Sequence, residues 1–67
     1  MNWDRIEGQW EQFKADARIE WGQFTDDELE VIAGKKDKLA GMIQEKYGLG
    51  KDKAEQAVEE WKEKLTS

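Results

Sequence analysis

Residues 3–21 read WDRIEGQWEQFKADARIEW, and the spacing of their apolar side chains indicates the fold class. These side chains recur at steps of three or four residues, which places them within about 80° of one another around a helix axis. Asn2 is a suitable N-cap, and Gly22 is a suitable C-terminal stop. The pattern therefore predicts one long amphipathic helix whose apolar face consists of Trp3, Ile6, Trp10, Phe13, Ala17 and Trp21.

A second helix start follows this stretch. Thr25 precedes Glu28 by three residues, which is the spacing of a capping box. Phe24 before the cap and Leu29 at the fourth helical position have the spacing of a hydrophobic staple. Together these signals predict a short helix over residues 26–33.

Two more helices are predicted in the second half of the chain. Apolar residues at steps of four indicate a helix over residues 35–47, and a second apolar face indicates one over residues 51–65 with Gly50 as its N-cap. Gly41 lies inside the third helix and is interpreted as the mark of a close helix crossing. Because the chain has no proline, the helices are expected to end at glycines, namely Gly22, Gly34 and Gly48.

A faint internal repeat at an offset of 26 residues aligns Trp21-Gly22 with Tyr47-Gly48. A repeated unit of helix, aromatic-glycine turn and acidic helix start is typical of two stacked αα-hairpins, although helical periodicity by itself produces part of the match. The sequence thus predicts an all-α fold, with residues 1–67 forming a single domain. This domain is expected to be a bundle of four helices, arranged as two αα-hairpins packed across each other.

The composition is very polar and yet rich in aromatic residues. Charged residues make up 40% of the 67, the mean hydropathy is −1.03, and four residues are tryptophan. Low hydrophobicity with high charge is typical of disorder, but each aromatic side chain can bury roughly 150–250 Å². We therefore expect a folded domain of modest stability around a thin aromatic core.

Residue types that are missing exclude several classes of protein. Without cysteine or histidine there is no disulfide framework, no zinc site of the usual kind and no Ser-His or Cys-His catalysis. No apolar run approaches the ~18 residues of a membrane span, and a formal charge of −5 argues against binding to a phosphate backbone. We expect no enzymatic activity, no cofactor, and neither nucleic acid nor membrane as partner. With no export signal at its N-terminus, the chain is expected in the cytoplasm.

Acidic side chains form three candidate sites. Asp26-Asp27-Glu28 could bind a divalent cation through carboxylate oxygens, but carboxylates in a first helical turn also offset the helix dipole, and no calcium-loop spacing is present. The structural interpretation of this cluster is preferred. Two pairs, Asp4 with Glu7 and Asp16 with Glu20, could act as the two carboxylates of a glycoside hydrolase. A chain of this length is not expected to form the deep cleft that such a site needs.

Charge is distributed unevenly along the chain. Residues 1–33 carry three basic and nine acidic side chains, a net of −6, whereas residues 34–67 carry eight basic and seven acidic ones, a net of +1. The two halves are expected to attract each other, within one domain or between copies. Lysines beside Tyr47 could form a basic patch of the kind that binds nucleic acid, although arginine is scarce; they are Lys35, Lys36, Lys38, Lys46, Lys51 and Lys53.

The tryptophans are the last candidates. An aromatic face beside charged residues occurs in helices that bind ligands or membrane surfaces, but tryptophan at strict helical spacing is more often part of a core. Trp10 and Trp21 are predicted to be core residues, and their truncation to alanine is expected to cost about 3–5 kcal/mol. For Trp3 and Trp61, near the ends of the chain, exposure for binding stays open.

Several blocks occur in a recognisable order: Trp10-Glu11-Gln12-Phe13-Lys14, Trp21-Gly22-Gln23-Phe24-Thr25-Asp26-Asp27-Glu28-Leu29, Ile32-Ala33-Gly34-Lys35-Lys36-Asp37-Lys38-Leu39 and Gly41-Met42-Ile43-Gln44-Glu45-Lys46-Tyr47-Gly48. This order resembles the CsbD-like family of small bacterial stress-response proteins, and the likeness extends through Lys51-Asp52-Lys53-Ala54-Glu55 to Trp61. One departure is Ala15-Asp16, where the family often has Gly-Lys. The resemblance implies a small all-helical cytoplasmic domain produced under general stress or in stationary phase. It implies no catalytic residue, cofactor or metal ligand.

Two functional hypotheses from different classes follow. The first is a protective, hydrophilin-like role, in which a highly soluble protein shields other proteins during osmotic or drying stress. The second is a small helical module that binds a specific protein partner under stress, through an exposed tryptophan and the charge asymmetry. A monomer is expected in either case, and the sequence does not indicate who the partner is.

Overall fold

The computed structural model describes residues 3–66, in which all regular secondary structure is helical. The helices are α1 (Trp3–Gly8), α2 (Trp10–Glu20), α3 (Asp26–Ile32), α4 (Lys36–Tyr47) and α5 (Lys51–Thr66). The all-α prediction is confirmed. The predicted bundle of four helices is wrong in its count, since the described chain has five. Asn2, the predicted N-cap of the first helix, lies outside the described residues.

The extra helix arises because the predicted helix over residues 3–21 is interrupted at Gln9. Gln9 has φ −118° and ψ 33°, and its side chain makes no capping hydrogen bond to α2. Gly8 precedes it, and glycine is a poor helix former. An interruption of one residue leaves the apolar spacing intact, as the burial of Ile6 and Trp10 on either side shows. Periodicity alone could therefore not reveal it.

The start of α3 agrees with its prediction. The N–H of Glu28 donates to Thr25 Oγ1 at 3.2 Å, and the N–H of Thr25 donates to Glu28 Oε1 at 2.9 Å, which completes the capping box. Both staple residues, Phe24 and Leu29, are buried in the core. The helix ends at Ile32 and not at residue 33, because the next residue takes the left-handed conformation.

Helices α4 and α5 make the most extensive contact between any two helices of the described chain, across the short connection at residues 48–50. Gly48 ends α4 in the left-handed conformation with φ 66°, as predicted. The carbonyl of Gly50 accepts the N–H of Ala54 at 3.0 Å, which agrees with Gly50 as the N-cap of α5. The close crossing predicted at Gly41 is wrong, because a Cβ added there would have no neighbour within 4 Å.

The turn between α2 and α3 differs from the glycine stop predicted at Gly22. Helix α2 ends at Glu20, and Trp21 leaves the helix with φ −124° and ψ 85°. The left-handed residues of the described chain are Ala33, Gly34 and Gly48, so Gly22 does not take the conformation that ends α4. The two aromatic-glycine turns of the repeat thus differ in backbone conformation. They are nevertheless in contact, because the Gln23 N–H donates to the Tyr47 hydroxyl at 3.2 Å.

One apolar core connects all five helices. Its members lie at helical spacing along the inward faces of the helices and in the turn after α2. The buried core residues are Ile6, Trp10, Ala17, Trp21, Phe24, Leu29, Ile32, Leu39, Ala40, Ile43, Ala54, Val58 and Trp61. The half-buried residues packed against them are Trp3, Phe13, Met42, Tyr47, Leu49, Ala57 and Leu65.

Candidate functional site

The tryptophans form an interior cluster centred on Trp61. The ring of Trp61 lies edge to face against those of Trp21, Trp3 and Trp10, with centroid distances of 5.2, 6.1 and 6.4 Å. Edge-to-face contact is a favourable geometry for aromatic pairs. Trp61 is only 2% exposed. Trp10, Trp21 and Trp61 therefore lie in the core, while Trp3 at the edge of the cluster is half-buried.

Two indole N–H groups of this cluster are already bonded within the chain. Trp10 donates to the Leu29 carbonyl at 2.8 Å, and Trp3 donates to the Gly34 carbonyl at 2.6 Å. Both acceptors lie in or just after α3, so the indoles attach α1 and α2 to that helix. Burial of Trp10 and Trp21 was predicted. The central position of Trp61 was missed, although Trp61 shares the apolar face of α5 with Ala54 and Val58.

The acidic cluster at the start of α3 is engaged in structural contacts. Asp26 pairs with Arg18 at 2.5 Å, and Glu28 combines its role in the capping box with an ion pair to Lys46 at 2.7 Å. The Lys46 ammonium and the Thr25 N–H hold the pKa of Glu28 below its ordinary value. Among the residues that the structure describes, no group of three or more acidic side chains is placed to hold a metal ion.

In each of the two candidate carboxylate pairs, one member is engaged in an ion pair. Glu7 binds Lys35 at 2.6 Å, and the hydrogen bond to Glu7 raises the pKa of Lys35. Glu20 binds Lys64 through both carboxylate oxygens, at 3.0 and 3.2 Å. In each pair, one carboxylate is thus paired with a lysine from the second half of the chain. The other member, Asp4 in the first pair and Asp16 in the second, is exposed to solvent.

Half of the lysines in the candidate basic patch form ion pairs within the fold. Lys35, Lys36 and Lys46 pair with Glu7, Glu59 and Glu28. The Lys36 and Lys62 ammonium groups hold the pKa of Glu59 below its ordinary value. The remaining lysines of the patch are exposed and make no ion pair within residues 3–65, namely Lys38, Lys51 and Lys53.

A shallow groove between α2 and α3 is a surface feature that the sequence analysis did not predict. It has a volume of about 250 Å³. Hydrogen bonds to Glu30 and Glu11 raise the pKa of Lys14 to about 12, and Arg18 pairs with Asp26 beside it. Because its charges are compensated by neighbours, the groove presents no unpaired group for a ligand; its lining is Glu11, Lys14, Ala15, Arg18, Asp26 and Leu29.

The surface is otherwise polar. Of the large apolar side chains of the described residues, only Ile19 and Val31 are exposed, at 82% and 58%. None of the described helices combines the length and the apolar character that crossing a bilayer requires. The arrangement is therefore an aromatic interior under a charged surface, without a cluster of reactive groups among the residues described.

Comparison with known proteins finds similarity over most of the chain. The family model described as CsbD-like matches residues 4–65. A UPF0337 protein of Pectobacterium atrosepticum is 51% identical over 63 residues, covering 94% of this chain and 91% of its own. The UPF0337 protein YjbJ of Escherichia coli strain K12 is 49% identical over 61 residues, covering 91% of this chain and 88% of its own. A UPF0337 protein of Rhodopseudomonas palustris is 48% identical over 61 residues, covering 91% and 92%.

Proposed function

The chain belongs to the CsbD-like family of general stress-response proteins, and on that premise we propose that it is a protective, hydrophilin-like protein. It acts as a highly soluble monomer in the cytoplasm and shields other proteins during osmotic or drying stress. The absence of cysteine supports this location, since disulfides are rare in reducing compartments.

The observation that carries the proposal is the division between interior and surface. The tryptophans are packed into the core, while many carboxylates stand at the surface without a cationic neighbour. Within residues 3–65 the carboxylates that make no ion pair are Asp4, Asp16, Asp27, Asp37, Glu45, Asp52, Glu55 and Glu60.

These carboxylates supply the chemistry of protection. Each ionised carboxylate accepts several hydrogen bonds, so it holds water near a neighbouring protein and can itself accept from that protein's N–H and O–H groups as water is lost. A net charge of −5 also keeps copies of this chain apart. Placed between the proteins that it shields, this charged chain thereby prevents their apolar surfaces from associating and does not itself aggregate.

A drying assay tests this proposal. A drying-sensitive enzyme is dried and rehydrated with this chain, or with an equal mass of a folded acidic protein of similar size. We expect a higher recovered activity with this chain. Recovery no better than with the acidic control would count against a protective role.

Two charge variants locate the effect on the surface. Neutralising Asp16, Glu45, Glu55 and Glu60 to their amides removes four negative charges and takes the formal charge from −5 to −1; we expect protection to fall. The matched control neutralises Lys38, Lys51 and Lys53 to glutamine and should retain protection. Circular dichroism verifies that both variants keep the fold.

The alternative function, a module for a specific protein partner, depended on an exposed tryptophan and on the charge asymmetry. Trp61 is buried, and Trp3 is half-buried with its N–H bonded. Ion pairs of Glu7, Glu20 and Glu28 join the two halves of the chain. Because these tryptophans and charged groups already make contacts within the fold, the protective role is favoured. Crosslinking in stressed cells tests the alternative, and one partner recovered reproducibly in stoichiometric amount would favour it instead.

A further inference from the structure

The contacts that attach α1 to the rest of the domain converge on the turn between α3 and α4. The Trp3 indole donates to the carbonyl of Gly34 at 2.6 Å. One helical turn later, Glu7 pairs with Lys35 at 2.6 Å. Ile6, between them, is fully buried. Two polar contacts of this six-residue helix, a hydrogen bond and an ion pair, thus lie at one turn, while Ile6 and the ring of Trp3 attach it to the core beside Trp61.

Gly34 makes this approach possible. It is buried and has φ 77°, and a Cβ added to it would lie 2.8 Å from the Cα of Glu7 and 3.3 Å from the Cβ of Trp10. A contact of 2.8 Å with backbone cannot be relieved by rotating a side chain. Gly48 has a similar φ of 66°, but a Cβ there would meet nothing within 4 Å. The two left-handed glycines therefore share a positive φ, but only Gly34 is buried and in close contact with the backbone of α1.

The other end of α1 is a point of weakness. The helix stops at Gly8, Gln9 leaves helical geometry, and α2 begins without a side-chain cap. An isolated helix of six residues is not stable in water, because nucleation costs more than so few hydrogen bonds return. Helix α1 therefore depends on its contacts with the rest of the domain.

We propose that the turn at Gly34 is a clasp for α1, and that α1 opens from it as a unit about Gln9 while α2–α5 stay folded. Opening removes Trp3 from the edge of Trp61 and withdraws Ile6 from the core. It is a local transition below global unfolding, of the kind that native-state hydrogen exchange detects. The clasp does not depend on the protective role proposed above.

Native-state hydrogen exchange of the full chain, followed by NMR, tests the clasp. The N–H of Gln9, which donates to the Arg5 carbonyl at 3.0 Å, reports on α1, and the N–H groups of Ile43 and Val58 report on α4 and α5. In the unmodified chain we expect Gln9 to be at least roughly tenfold less protected than Ile43 and Val58. Equal protection at the three positions would mean that α1 opens only with the whole domain, and would overturn the proposal.

Two glycine variants separate contact with α1 from backbone strain. Gly34→Ala and Gly48→Ala both place alanine at a positive φ, so both carry that strain. The Gln9 N–H should be about tenfold or more less protected from exchange in Gly34→Ala than in Gly48→Ala. The protection of the Val58 N–H should be similar in the two variants. Gly34→Ala lowering Gln9 and Val58 by the same factor would contradict the clasp.

A second pair keeps the test decisive if Gly34→Ala does not fold. Trp3→Phe and Trp10→Phe each retain an aromatic ring but lose the indole N–H bonded to a carbonyl. We expect Trp3→Phe to deprotect Gln9 alone, and Trp10→Phe to deprotect Gln9 and Val58 together. The same response from both variants would overturn the proposal.

Discussion

Among single residues, Trp61 occupies the centre of the aromatic cluster, because three other tryptophan rings lie against it. Trp61→Ala should destabilise the domain by about 3–5 kcal/mol, as truncation of a buried aromatic does. In a domain of this size that loss is enough to unfold much of the population. Urea denaturation followed by circular dichroism measures it.

The matched control for Trp61→Ala is Ile19→Ala, which truncates a side chain that is 82% exposed. Its effect should stay within about 0.5 kcal/mol, as for most surface substitutions. Similar denaturation midpoints for the two variants would mean that the cluster does not support the core.

Ala33 is the one non-glycine residue of the described chain with a positive φ, at 50°. An L-residue in this conformation is strained by roughly 1–2 kcal/mol, part of which is offset by the greater flexibility of glycine in the unfolded chain. Because Ala33 is exposed, its methyl group contributes little packing. We therefore expect Ala33→Gly to stabilise the domain by about 0.5–1 kcal/mol.

The same substitution in a helix interior provides the control for this prediction. Ala15 is exposed in the middle of α2, so Ala15→Gly should destabilise by about 1 kcal/mol. Thermal melts of the two variants should thus shift in opposite directions. A lower midpoint for Ala33→Gly would show that the strain at position 33 is negligible.

At the level of the helices, Gly41 weakens α4 without a packing reason. It lies within the helix, and a Cβ there would have open space for at least 4 Å. Gly41→Ala should stabilise the domain by about 1 kcal/mol, since alanine is the better helix former. Gly48→Ala, only seven residues further on, should destabilise it because of the positive φ. Equilibrium unfolding of both variants checks the signs.

Charge organises the molecule as a whole. The acidic first half and the more basic second half attract each other within one domain, through Glu7–Lys35, Glu28–Lys46 and Glu20–Lys64. Each of these pairs joins parts of the chain that are distant in sequence. Attraction between the halves was predicted, and the structure shows it inside a single copy.

These ion pairs make the stability depend on pH in the acid range. The pKa values of Glu28 and Glu59 are lowered in the folded chain by Lys46 and Lys36. Their contribution is therefore fully present above the unfolded value of about 4.3 and is lost as the pH falls through the lower folded value. We expect melting temperatures that are nearly constant from about pH 7 to pH 5 and that fall steadily below it.

A pair of glutamine variants isolates this contribution. At neutral pH, Glu59→Gln should have a lower melting temperature than the unmodified chain. The melting temperatures of the two proteins should converge in acid, where Glu59 is protonated in both the folded and the unfolded chain. Glu55→Gln removes an exposed carboxylate that makes no ion pair. Its melting temperature should therefore change with pH in the same way as that of the unmodified chain. A constant gap for Glu59→Gln from pH 7 to pH 3 would show that its ion pairs do not stabilise the fold.

Local signals in the sequence were enough to determine the helical class, the capping box at Thr25 and the burial of Trp10 and Trp21. Each of these depends on residues three or four positions apart, which is the range over which a helix brings side chains together. The absence of cysteine and histidine restricted the chemistry in the same direct way.

The tertiary structure alone decided the break at Gln9, the central position of Trp61 and the ion pairs of Lys35, Lys36 and Lys46. It also decided that Gly34, and not Gly41, is the site of close approach between segments. These features depend on contacts such as that of Trp3 with Gly34, which are 31 residues apart. Helical spacing in the sequence shows which residues share one face of a helix. It does not show which helical turns pack against each other, because every amphipathic helix has the same spacing; packing of the whole chain decides that.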